Sequence, residues 1–156
     1  MASALQHYHQ LADYMATQIT TSFQSWTDFL TTAARLYKYP YHEQLMIYAQ
    51  RPDATACAEY DLWNKRMGRY IRQGAKGIAL IDQSGDAPRL RYVFDVADTG
   101  STERSRSPYL WEYHPEHEQV VSHALEQAYN IRYTGDFPDQ LEQISSVKVT
   151  EYFLAH

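Results

Sequence analysis

The stretch RYIRQGAKGIALIDQSGDAPRLRYVFDV, residues 69–96, decides the fold. Its apolar residues fall in short runs rich in branched and aromatic side chains, RYIR, IALID and RLRYVFDV, separated by the turn-forming QGAKG and QSGDAP. This pattern predicts a three-stranded antiparallel meander. On the N-terminal side the period is that of a helix. Leu11, Met15 and Ile19 predict a first helix that ends at Thr20 and Thr21. Ser25, with Asp28 three residues on, reads as the N-cap of a second helix whose Trp26, Phe29, Leu30, Ala33 and Tyr37 share one face, and Pro40 stops it. Leu45, Met46 and Ala49 predict a third, short helix closed by Pro52. A fourth is expected over about residues 58–67, with Leu62, Trp63 and Met67 inward, an Asp61–Lys65 pair outward and Gly68 as its stop.

On the C-terminal side, TGSTERSRSP (residues 99–108) is polar and reads as a mobile loop. Two helical patterns follow. One starts at Pro115 with Val120, Val121, Leu125 and Ala128, and the other starts at Pro138 with Leu141, Ile144 and Val147. The expected class is therefore α+β, with several helices packed on a small three-stranded antiparallel sheet.

Composition narrows the functional classes. At 156 residues the chain is long enough for one self-standing core. Apolar residues make up 44% and charged ones 21%, and no run of 18 apolar residues occurs, which argues against a disordered or membrane-spanning chain. The N-terminus lacks the basic and apolar regions of a signal peptide. A single cysteine, Cys57, leaves no internal disulfide and favours a cytoplasmic setting.

The net charge of −5 is unevenly spread: residues 1–30 carry −2, residues 31–80 carry +4 and residues 81–156 carry −7. Within the basic block, residues 64–77 hold Lys65, Arg66, Arg69, Arg72 and Lys76 and no acid. Such a patch can bind a polyanion despite an acidic whole, and the competing reading is a solvated loop. Just upstream, YKYPYHEQLMIYAQRP (residues 37–52) gathers four of the fourteen tyrosines around Pro40. A core prefers side chains that need no hydrogen-bond partner, so phenols concentrated beside a cationic patch suggest a wet surface. Phosphates need cations, and unstacked bases need flat aromatic platforms or hydrogen-bonding groups. The expected contacts are Lys65, Arg66, Arg69, Arg72 and Lys76 to phosphates, with Tyr39, Tyr41 and Tyr70 stacking on or hydrogen-bonding to bases. QGAKGI adds a glycine turn with Lys76 at its tip, which reads equally as a phosphate grip or an ordinary hairpin.

The ordered series of Trp26 and Phe29-Leu30, the tyrosine-rich turn, QRPDAT, W-x4-G-R-x-I-R-x-G-x-K-G-I from Trp63 to Ile78, and VFDVADT from Val93 to Thr99 resembles the N-terminal domain of ArdC-like antirestriction proteins. The resemblance covers residues 22–99. The chain departs from the usual pattern at Tyr41-His42-Glu43-Gln44 and at Asp98. It implies a single-stranded DNA-binding module of plasmid and conjugative-element proteins, fused to helicase, methylase or other catalytic domains. The expected organisation is then an N-terminal helix (1–21), an ArdC-like core (22–99), and a polar loop with C-terminal helices (100–156) leading into further domains of the same polypeptide. The end of the sequence, EYFLAH, without a cap or turn signal, fits that expectation. The alternative is a docking module for such a polypeptide that makes no nucleic-acid contact.

Catalysis and cofactors are not expected. The H-E-x-x-H zinc motif is missing, because His42-Glu43 is followed by Met46 and His117-Glu118 by His123 at the wrong spacing. The His7–His9 pair precedes a helix and not the strand that would place both rings on one face. Cys57 reads as a small core residue. Asp95 and Asp98 read as strand-end caps, since side chains three apart on a strand face opposite ways.

Overall fold

The computed structural model describes residues 3–155. The chain divides into two compact units, Met1–Leu110 and Trp111–His156, described separately.

The first unit opens with α1 (Ala4–Gln18), whose N-cap Ser3 accepts a hydrogen bond from the Gln6 N–H. Leu5, Tyr8, Ala12 and Met15 form its inner stripe and Ile19 follows at the C-cap, 1% exposed. Helix α2 (Phe23–Arg35) begins a turn earlier than expected: Ser22, not Ser25, is the N-cap, and Ser25 supplies the N–H that Ser22 accepts at 3.0 Å. The buried face is rotated accordingly. Phe29, Thr32, Ala33 and Leu36 lie inside, whereas Trp26, Leu30 and Tyr37 remain exposed. Thr32 can occupy an inward position because its hydroxyl donates to the Pro52 carbonyl. Pro40 caps the start of α3 (Tyr41–Gln50) rather than stopping α2, which has already ended at Arg35. The Gln44 amide donates to the carbonyls of Ala33 and Leu36, so α3 satisfies the end of α2.

The three-stranded antiparallel sheet has the order β1–β4–β3. Strands β3 (Ile78–Asp82) and β4 (Arg89–Asp95) form a hairpin in the register Ile78↔Val93 to Asp82↔Arg89, and β1 (Cys57–Ala58) pairs with the end of β4. The expected meander is thus corrected in one member. Tyr70–Ile71, numbered β2, does not join β3 but pairs antiparallel with β5 (Thr99–Gly100) in a separate ribbon. The reason lies at the free edge of β3. There the Gln50 amide both donates to the Ala79 carbonyl (2.8 Å) and accepts from the Ala79 N–H (2.9 Å), as a neighbouring strand would. With Ile78, Ala79, Leu80 and Ile81 all buried, the edge is closed. Leu36, Met46, Ile47 and Ala54 pack on Ile78, Leu80, Ile81 and Val93 as the central core.

Two further expectations change. The fourth helix shrinks to a wide π-helical turn, Leu62–Arg66, because Ala58 belongs to β1. Gly68 follows at φ +62°, a left-handed conformation that suits glycine as the stop. The loop over residues 99–108 is tied down rather than loose: Ser105 Oγ donates to the Gly68 carbonyl (2.6 Å) and the Arg106 N–H to the Met67 carbonyl (2.8 Å).

The second unit holds a 3-10 turn (Pro115–His117), α4 (Glu118–Tyr129) and α5 (Phe137–Ala155). Asn130 ends α4 in the left-handed region. Among the described residues the second unit buries Ser122, Gln140 and Ile144, while Val120, Leu141 and Val147 of the expected apolar stripes are exposed.

Candidate nucleic-acid interface

The π-helical turn does two things at once. It sends Trp63 inward, 1% exposed, with Nε1–H donating to the Phe94 carbonyl at 2.8 Å, and it leaves Lys65 and Arg66 on the surface. Trp63, Ala56 and Ala58 are packed by Met67, Ile71, Phe94, Val96 and Leu110, which anchors both the turn and the ribbon behind it. The five cations of the patch then differ in freedom. Lys65 pairs with Asp61 at 2.9 Å, the expected one-turn pair, and Arg69 Nε–H donates to Thr99 Oγ1 at 2.7 Å. Among the described residues, Arg66, Arg72 and Lys76 are exposed and have no ion-pair partner.

The structure adds cations that the block 64–77 did not include. The pinned loop carries Arg104 and Arg106, and an added side chain at Gly68 would meet the Arg104 carbonyl at 3.6 Å. Arg35 and Lys38 approach from the other side. They line a surface cavity of 230 Å³ whose walls come from the 36–39 turn, β1, the π-helical turn and residues 108–110. Charge alone was the sequence signal for these four residues. The placement of Arg104 and Arg106 depends on the Ser105–Gly68 and Arg106–Met67 bonds, which no spacing rule announces.

The three expected base-contacting tyrosines occupy different surroundings. Tyr39 lines the cavity, and its hydroxyl donates to the Cys57 carbonyl at 2.7 Å. Burial pushes this phenol well above its ordinary pKa. Tyr41 is 53% exposed and meets Phe29 edge-on at 5.9 Å. Pro40 therefore separates two rings with different neighbours. Tyr70 is 51% exposed and lies over Gly100, where a Cβ would overlap its ring. Tyr109, not singled out from the sequence, is 82% exposed at the cavity.

The groups considered for catalysis hold structural posts. Asp95 is 1% exposed; its Oδ2 accepts from the N–H groups of Thr55 and Ala56, and its Oδ1 from Ala97. Asp98 accepts two bonds from Arg51 Nη1, at 2.9 and 2.7 Å. The Cys57 thiol points at Asp95 (3.7 Å), and burial together with that carboxylate holds its pKa far above the range of a reactive thiolate. Among the described residues no three His, Cys, Asp or Glu side chains are grouped as a metal site. No described helix is long and apolar enough to cross a membrane. Comparisons with protein-family models, curated proteins and solved structures find no match to this chain.

Proposed function

We propose that this chain binds single-stranded DNA with little sequence preference, without catalysing a reaction, as a cytoplasmic module of a larger mobile-element protein. One observation carries the reading. The turn that lines the cavity with Leu62 and Trp63 also presents Lys65 and Arg66, while Arg35 and Lys38 line the same cavity. Single-strand binders need this combination of a cationic track and aromatic surfaces, because the phosphates are charged and every base has a flat face. Phosphate contacts come from Arg66, Arg72 and Lys76 first, with Lys65 and Arg69 joining if they exchange Asp61 and Thr99 for the ligand. The resemblance to ArdC-like N-terminal domains leads independently to the same class of ligand and adds the mobile-element setting.

The test is a titration with labelled single-stranded oligonucleotides at several salt concentrations. Each neutralised phosphate of a single strand contributes about −0.7 to the log–log slope, so three to five contacts predict a slope of about −2 to −3.5. Duplex of the same length should bind more weakly. A slope near zero would remove the polyanion reading. The second reading, a docking module, is favoured by the second unit, where Val120 (74%) and Leu154 (84%) lie open to solvent on α4 and α5.

A further inference from the structure

We propose that the 230 Å³ cavity receives one unstacked base of the bound strand, and that the Tyr39 hydroxyl reads whether that base carries an exocyclic amino group. The inference rests on the single-strand reading above and adds a defined subsite to it. Three observations support it. First, the cavity is smaller than the roughly 300–1,000 Å³ of a site for a drug-sized ligand, so it suits a single flat ring system. Its floor is apolar, with Trp63 and Leu36 already buried and the Trp63 N–H already committed to the Phe94 carbonyl. Nothing in that floor demands a charged or strongly hydrated guest.

Second, the opening is framed for stacking and for phosphate. Tyr109, 82% exposed, is open for stacking, while Tyr37, 47% exposed, has Lys38 Nζ 5.7 Å from its ring centroid. Arg35 and Lys38 line the same opening, and Lys65 and Arg66 continue the positive charge along the adjoining turn. An aromatic side chain from a protein partner would fill the apolar space equally well but would leave Arg35 and Arg66, which have no ion-pair partner among the described residues, without a complement. Third, the polar wall has a fixed sense. Tyr39 spends its only O–H on the Cys57 carbonyl, so its oxygen can accept a further hydrogen bond but not donate one. Adenine N6 and cytosine N4 present amino donors, whereas thymine presents a carbonyl at the corresponding position. The wall therefore favours cytosine over thymine, two pyrimidines of similar size, within an otherwise sequence-tolerant interface.

The experiment compares dC, dT and abasic oligonucleotides of equal length, titrated against the full chain and against Tyr109→Ala and Tyr39→Phe. Circular dichroism melts confirm that each variant is folded; Tyr109 is exposed enough that its truncation leaves the core intact. The wild type is expected to bind dC on the order of 2- to 10-fold more tightly than dT, the worth of one net hydrogen bond. Tyr39→Phe should erase that ratio while keeping dT affinity. Tyr109→Ala should weaken both homopolymers by on the order of 10-fold, the effect of losing one stacked base, and leave abasic binding unchanged. If single strands bind with the expected salt slope but both variants match the wild type, the base subsite is overturned and the polyanion reading stands. If no single strand binds at low salt, both fall. A tyrosine-bearing peptide that binds the wild type and loses affinity in Tyr109→Ala, with no difference among the oligonucleotides, would assign the cavity to a protein partner and overturn the proposal.

Discussion

Trp63 and Gln140 are each 1% exposed, one in each unit, and the contrast between them describes the contrast between the units. Trp63 buries a large ring and hands its one N–H to the Phe94 carbonyl, leaving no polar atom unpaired. Gln140 donates to the carbonyls of Ser122 and Ile131, yet its Oε1 is buried with no partner among the described residues. The first unit solves the same problem elsewhere with the same residue type: Gln50 satisfies both polar groups of Ala79 with both ends of its amide. A buried amide stabilises when each end is matched and costs free energy when one is not. Both units keep polar side chains inside, but among the described residues the unpaired buried side-chain atom is in the second, where Val120, Leu141 and Val147 also face out.

The largest expected effect tests this directly. Trp63→Ala should cost about 3 to 5 kcal/mol in urea denaturation, as deletion of a buried aromatic ring does, and should also abolish oligonucleotide binding through loss of the turn. Ile144→Ala removes a smaller side chain from the thinner core and should cost about 2 kcal/mol, read in a transition that leaves oligonucleotide affinity unchanged. Loss of affinity in Ile144→Ala would break the comparison by showing that the second unit supports the interface.

A middle-sized effect separates the units by charge. Replacing Arg72 and Lys76 together by glutamine should flatten the salt slope by about 1.4, two contacts at about 0.7 each, with the melting temperature little changed because exposed charges contribute little to stability. The same double change at Arg132 and Lys148 of the second unit should leave the slope as it was. Equal slopes in the two double variants would move the phosphate track off the ribbon.

The smallest expected effect lies at the β3–β4 hairpin. Hydrogen bonds from the Ser84 hydroxyl and N–H, and then from Arg89, hold the Asp82 carboxyl well below its ordinary range. A depressed folded-state value means that the carboxylate contributes stability above the unfolded pKa of about 3.9, and that the contribution fades as the pH falls through and below that value. Asp82→Asn should lower the melting temperature slightly at neutral pH, with the difference shrinking on acidification below about pH 4. A difference that grows on acidification would show that the hairpin is held by something other than these bonds.

Much of the fold could be read from residue spacing, and the places where it could not are instructive. The hairpin IALID–RLRYVFD, the Asp61–Lys65 pair, the Gly68 stop and the inward Trp63 follow from local rules, and the structure has them. RYIR leaves the expected sheet because strand propensity says that a segment is extended but not which edge is free, and Gln50, some twenty residues upstream, fills the edge of β3. The start of α2 moved because Ser22 and Ser25 are equivalent caps on propensity alone. In the candidate site, the basic block was legible as composition, while Arg104, Arg106 and Tyr109 were not, since their place depends on hydrogen bonds from a loop that looked unstructured.

Gly100 has a reach that its size conceals. Because Tyr70 rests where a Cβ at position 100 would be, the attitude of that ring is dictated from the opposite strand of the ribbon by a missing methyl group. A substitution as mild as Gly100→Ala would have to evict the tyrosine without altering any cation or any residue of the cavity. The posture of an exposed aromatic is thus heritable at a position that has no side chain of its own, and selection could retune the surface there while leaving every cation of the patch as it is.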